Sequence, residues 1–142
     1  MSPVPPFRRL LETAIHVADV RTSREWYAPV FGLRPLNPAH DDRLCALDLP
    51  GAQVLLLFKR GGTTQPLNFP TGVIPAHDSQ GNTHFAFAID TEALEPWRAH
   101  LRAIGVVVES EMTWERGGTS VYFRDPDGHL LELATPGVWP TY

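Results

Sequence analysis

Apolar and polar positions divide the 142-residue chain into two similar halves. Leu11-Glu12-Thr13-Ala14-Ile15-His16-Val17 alternates with the period of a strand. Thr22 and Glu25 then have capping-box spacing, in which a threonine hydroxyl and a glutamate satisfy free N–H groups at a helix start. This predicts a helix to about Phe31 that stops at Gly32 and is shortened or kinked by Pro29. Leu44–Leu49 and Gln53–Lys59 read as strands joined by a turn at Pro50-Gly51. Residues 60–82 lose the periodicity. Gly61-Gly62-Thr63-Thr64, three prolines and Asp78-Ser79-Gln80-Gly81-Asn82 mark a linker or lid. The pattern restarts with a strand at 84–89 and a helix at about 91–104 ended by Gly105. Strands follow at 106–108 and 120–124, then an Asp125-Pro126-Asp127-Gly128 turn and a last strand at 129–135.

Strand, helix and three strands thus occur twice. Placing Glu12 over His84 puts Ile15 on Phe87 and Val17 on Ile89, with Gly32 and Gly105 lying 20 and 21 residues further on. Placing Gly51 over Gly128 puts Asp48 on Asp125 and Leu55 on Glu132. Two βαβββ units related by a pseudo-two-fold account for this. The expectation is one α+β domain, 1–142, with a first module at 10–59, a linker or lid at 60–82 and a second module at 83–138.

Successive side chains of a strand face opposite ways. Thr13, Ile15 and Val17 share one face, and Glu12, Ala14 and His16 the other. Phe85, Phe87 and Ile89 lie opposite His84, Ala86 and Ala88. The bulky faces should pack on the helices, leaving Glu12 and His84 beside small alanines. Glu132 sits between Leu131 and Leu133 in the last strand, where a carboxylate is costly unless paired or bound to an ion. The pseudo-two-fold would gather Glu12, His84 and Glu132, and one imidazole with two carboxylates suits Zn, Mn, Fe, Ni or Co. The bland alternative is an exposed Glu12, a satisfied core His84 and a Glu132 paired with an arginine.

Composition narrows the partners. The net charge of −4, from 12 basic and 16 acidic residues, leaves no polybasic footprint for nucleic acid or anionic membranes. The longest apolar runs, such as 54–58, are five residues, too short to span a bilayer. The first residues show no apolar signal region. One cysteine, Cys45, excludes an intrachain disulfide, and a reducing cytoplasm is the simplest home. Within Leu44-Cys45-Ala46-Leu47 it is expected to be a buried hydrophobe.

Three segments carry a family likeness. They are Val17-Ala18-Asp19-Val20 with Ser23, Trp26, Tyr27 and Phe31-Gly32-Leu33; Gly81-Asn82-Thr83-His84-Phe85-Ala86-Phe87; and Tyr122-Phe123-Arg124-Asp125-Pro126-Asp127-Gly128-His129-Leu130-Leu131-Glu132-Leu133. In this order, over about residues 10–138, the chain resembles the vicinal oxygen chelate superfamily, which includes glyoxalase I, bleomycin-resistance proteins, fosfomycin-resistance thiol transferases and extradiol dioxygenases. The resemblance implies paired βαβββ modules in a U-shaped, partly closed sheet around a metal, with helices outside. His84 and Glu132 match two family ligands, and Glu12 stands where the first-strand ligand, usually His or Gln, would be. Leu55 stands where glyoxalase I has a further glutamate, so a three-ligand site with open positions is implied.

The expected protein is therefore a metal-dependent lyase, isomerase or thiol transferase acting by Lewis-acid catalysis on a small oxygenated substrate. Its ion would be Mn, Zn, Ni or Fe, and the resemblance implies a homodimer. The alternatives are a metal-free sequestering protein of the bleomycin-resistance kind and an extradiol-type dioxygenase, the latter disfavoured by two carboxylates with one histidine. Glu12 or Glu132 would take a proton. His16, two residues along from Glu12, and His77, late in the linker, are further acid–base candidates. Leu55, Trp114 and Tyr122 are expected to wall the substrate pocket. Arg124 is expected to pair with Asp125 or Asp127.

Overall fold

A computed structural model describes residues 3–142; the first two residues of the N-terminal lead-in lie outside the described residues. The chain forms two compact units, Met1–Ser79 and Gln80–Tyr142. Each holds a four-stranded sheet and an α-helix, giving the expected α+β class.

The first unit runs β1 (Glu12–Val17), α1 (Val20–Phe31), β2 (Arg34–Pro35), β3 (Leu44–Leu49) and β4 (Gln53–Lys59), with sheet order β1-β4-β3-β2. β1 is parallel to β4, a pairing that needs a crossover, and α1 opens that crossover. The helix starts earlier than Thr22. Asp19 is the N-cap, and its Oδ1 accepts from the Thr22 N–H at 2.7 Å, a bond that holds this carboxyl below its ordinary range. Glu25 instead pairs with Arg21 at 3.0 Å. Gly32 ends the helix at φ 64, a left-handed conformation that favours glycine. Val20, Tyr27 and Val30 of α1 are buried, as are Ile15, Val17, Cys45, Leu47, Leu55 and Leu57 of the sheet. Each such large side chain contributes on the order of 1.5–3 kcal/mol by leaving water. Burial also pushes the Cys45 thiol up, which suits a core residue rather than a nucleophile.

The 60–82 segment is more ordered than a linker. β5 (Leu67–Phe69) and β6 (Gly72–Ile74) form a hairpin. Thr63 and His77 clasp its base: the His77 N–H donates to Thr63 O at 2.9 Å, and Thr63 Oγ1 donates to His77 O at 2.6 Å. Three-residue strands are too short to show periodicity in the sequence.

The second unit runs β7 (His84–Ala88), a 3-10 turn (Thr91–Ala93), α2 (Leu94–Ala103), β8 (Val108–Thr113), β9 (Thr119–Arg124) and β10 (Leu130–Ala134), with sheet order β7-β10-β9-β8. β8 begins later than expected because the Val106 N–H is taken by Leu101 O at the helix end. In the Asp-Pro-Asp-Gly turn, Asp125 Oδ1 accepts from the backbone N–H of Asp127 and His129. Arg124 bonds Glu109 at 2.7 Å and Gly128 O at 3.0 Å, so its partner is a β8 carboxylate rather than the turn aspartates. No helix among the described residues is long and apolar enough to cross a membrane.

Strand register tests the internal repeat. Glu12 stands opposite Val54 and His84 opposite Leu130, so Glu12 and His84 occupy equivalent positions. The second half of the alignment is corrected by one residue. Ala14 stands opposite Leu56, and Ala86 opposite Glu132, which makes Leu56 rather than Leu55 the counterpart of Glu132. The cause is the turn. The residues paired across the two turns are six positions apart in both hairpins, Asp48 with Val54 and Arg124 with Leu130, so the left-handed position of Gly128 (φ 85) is held in the first hairpin by Ala52 (φ 57), one residue past Gly51. A one-residue offset moves a side chain to the other sheet face.

Candidate metal centre

The second sheet brings two of the three expected ligands together. His84 opens β7, and Glu132 lies in the adjacent strand β10. Their Nε2 and Oε2 atoms are 3.1 Å apart. The carbonyl of Leu130 receives the other ring nitrogen, Nδ1, at 2.9 Å. An oxygen there requires the proton on Nδ1, which leaves the Nε2 lone pair aimed at Glu132 in the neutral ring. Two acceptors at that distance need a proton or a cation between them. The pair is not the arginine contact of the bland alternative.

Glu132 is 7% exposed, and its second oxygen is also occupied. Ser120, fully buried in β9, donates its hydroxyl to Glu132 Oε1. The Trp114 indole N–H donates in turn to Ser120 Oγ at 2.9 Å. Trp114 is thus the outer end of a chain that orients the carboxylate. Tyr122, directly opposite Glu132 in β9, places its ring 6.2 Å from that of His84 and walls the same face. The sequence offered one signal for Ser120: strand alternation puts it on the face of Tyr122. Its contact with Glu132 is diagonal across two strands and depends on register. Residues of this set fit a divalent ion: an imidazole with its distal N–H anchored, and a nearly buried carboxylate with one oxygen held and one aimed at the imidazole. Among the described residues no group of three or more His, Cys, Asp or Glu side chains gathers.

The first sheet presents a different face. A cavity of about 490 Å³ lies between the sheet and the β5–β6 hairpin. Ala14, Leu44, Leu56 and Phe58 form its floor, and Glu12 and Arg43 belong to its lining. Leu67, Ile74 and His77 come from the hairpin side. Leu55, expected in a pocket wall, is 1% exposed on the core face, so Leu56 takes that place. Glu12 is exposed at the start of β1. His16 does not stand free as an acid or base. It is 4% exposed, with Nε2 at 2.9 Å from Thr63 Oγ1. Since that hydroxyl already donates to His77 O, the imidazole is the donor, and it ties the hairpin base to β1. The exposed His77 packs its ring on Phe58 and His16, at 5.0 and 5.4 Å.

Comparison with known proteins adds to this geometry. Residues 9–133 match the family model of the Glyoxalase/Bleomycin resistance protein/Dioxygenase superfamily. The metallothiol transferase FosB of Bacillus licheniformis is 32% identical over 124 residues, covering 87% of this chain and 72% of that protein. FosB of Shouchella clausii is 38% identical over 80 residues, 55% of each chain, so the match spans about half the length of that relative. The crystal structure of lactoylglutathione lyase from Agrobacterium tumefaciens superposes with a TM-score of 0.85 at 30% identity, over 96% of this chain and 99% of that one.

Proposed function

The chain belongs to the glyoxalase/bleomycin resistance protein/dioxygenase superfamily, and from that premise we propose that it is a divalent-metal enzyme acting on a small oxygenated substrate. The observation that carries this reading is the pair of acceptors, His84 Nε2 and Glu132 Oε2, facing each other at 3.1 Å, each anchored from behind. We take Glu12 as the third donor, a reading supported by its holding in the first sheet the register position that His84 holds in the second. The ion is Mn, Zn, Ni or Fe, and the working form is a cytoplasmic homodimer.

A divalent ion held there supplies Lewis acidity toward two neighbouring substrate oxygens. The chain's own residues divide the remaining work. Glu132 keeps its place because Ser120 fixes one of its oxygens, which makes it a positioning carboxylate. Glu12 is exposed and is the carboxylate that takes a proton from the substrate. Tyr122 walls the His84 side of this face, and Ala86 opposite Glu132 adds little bulk. The reaction class is lyase, isomerase or thiol transfer, supported by the metallothiol transferases and the lactoylglutathione lyase among its relatives.

Elemental mass spectrometry of protein prepared without chelator tests this. Wild type should carry near-stoichiometric metal, and Glu132→Ala should lose it, with affinity falling at least about 100-fold. Metal-free wild type that stays empty after reloading with Mn, Zn, Ni and Fe would leave the second reading, a metal-free ligand-binding protein. That reading is favoured by the first-sheet cavity, whose floor is apolar.

A further inference from the structure

We propose that the first-unit cavity binds the acid end of the substrate: an organic carboxylate with an apolar body, its head on Arg43 and its opposite end toward Glu12. This inference rests on the metal-enzyme reading only through Glu12; the cavity lies wholly within the first unit.

The argument starts from the register. Glu12 stands opposite Val54 on β4, and Lys59, five positions along β4, receives Arg43 as its partner through a 2.9 Å backbone bond. At roughly 3.3 Å per residue, Glu12 and Arg43 are about 16 Å apart in the strand direction, on opposite sides of β4. The cavity therefore has an anionic end and a cationic end. Between them the floor is Ala14, Leu56 and Phe58. Its volume of about 490 Å³ lies within the roughly 300–1,000 Å³ typical of small-molecule sites.

Arg43 is available for the head group. Its neighbour in sequence, Asp42, forms no ion pair with it among the described residues, and Asp41, which feels the Arg43 charge, is engaged by backbone: Oδ1 accepts from the N–H of Arg43 at 3.0 Å and of Leu44 at 3.2 Å. Oδ2 accepts from Asn37 at 3.3 Å. None of the ion pairs among the described residues involves the Arg43 guanidinium. A guanidinium is a planar fork of N–H donors that matches a carboxylate with two parallel bonds. The roof over this site is held in place. Thr63 and His77 clasp the hairpin base, and His16 pins that clasp to β1. The apolar stretch between the charged ends selects a hydrocarbon or aromatic body, and a small inorganic anion would leave it unfilled.

The test uses 3-phenylpropionate and its neutral isostere 3-phenylpropanamide, titrated calorimetrically into chelator-treated full-length protein at neutral pH. The acid should bind wild type at least 10-fold more tightly than the amide. Arg43→Gln should remove that preference, Arg43→Lys should retain part of it, and Ala14→Phe should block both probes by filling the floor. Arg98→Met, outside the cavity and in the other unit, should bind the acid as wild type does. No binding to wild type, equal binding of acid and amide, or full binding by Arg43→Gln each overturns the assignment. Failure of the metal reading shows separately, as wild type that takes up no metal yet still discriminates acid from amide.

Discussion

The two sheets share one topology and differ in what they place at equivalent positions. In the second, His84, Ala86, Glu132, Ser120 and Tyr122 make a polar face around a nearly buried carboxylate. In the first, the same register positions hold Glu12, Ala14, Leu56, Leu44 and Ala46, an apolar face with charge at its edge. The alanine beside the central residue is common to both. The central residue is Glu132 in one and Leu56 in the other. A carboxylate in this position needs donors: the second sheet supplies a serine hydroxyl and an imidazole, and the first supplies only leucine and alanine. The shared scaffold thus carries a held carboxylate on one sheet and an apolar face on the other through different residues at four register positions.

The largest effect should come from a backbone contact in the second unit that is tighter than its counterpart in the first. A Cβ at Gly118 would meet Val138 N at 2.3 Å and Gly137 C at 2.5 Å, both main-chain atoms. Gly118→Ala should cost about 3 kcal/mol or more in denaturant unfolding. Gly62→Ala in the first unit meets Lys59 O at 3.0 Å and should cost about 1 kcal/mol. Equal costs would show that the two units tolerate crowding alike.

Ser120→Ala removes the hydroxyl that holds Glu132 Oε1. Metal affinity should fall about 10–100-fold in a chelator competition, the scale for losing an outer partner of a ligand. Trp114→Phe, one bond further out, should cost less. Wild-type affinity in Ser120→Ala would show that Glu132 needs no support. Leu56→Glu gives the first sheet the carboxylate it lacks. If the two-fold equivalence extends to the ion, affinity should rise by about 10-fold, or roughly 1.4 kcal/mol. An unchanged affinity would confine ion holding to the second sheet's residues plus Glu12.

The smallest effect concerns the outside of the second unit. Arg98 pairs with Glu111 at 2.7 Å and also with Glu95. The Arg98 hydrogen bond, working against burial, holds the Glu111 carboxyl below its ordinary value of 4.5. A depressed carboxylate contributes stability that is full above that value and is lost as pH falls through the folded one. Arg98→Met should therefore lower stability by only about 0.5 kcal/mol at pH 7, since the pair is solvent-screened. The difference should vanish well below pH 4.5. A difference that persists in acid would point to lost packing of the arginine stem.

Much of this protein is determined by sequence alone. Alternation in 11–17 and 84–89, the glycines after both helices and the Asp-Pro-Asp-Gly turn are local signals, readable because backbone geometry repeats every two or 3.6 residues. They suffice for two βαβββ units and for the equivalence of Glu12 with His84. The tertiary structure decided what depends on register and on distant partners. Ala52, not Gly51, holds the left-handed position that Gly128 holds in the second hairpin, and the pairing puts Leu56, not Leu55, on the cavity face. Thr63 and His77 turned a Gly- and Pro-rich stretch into a clasped hairpin and fixed His16 as its anchor. Ser120 met Glu132 only because β9 and β10 pair as they do. Those contacts join residues 12 to 47 positions apart, and a single sequence carries no periodic trace of them.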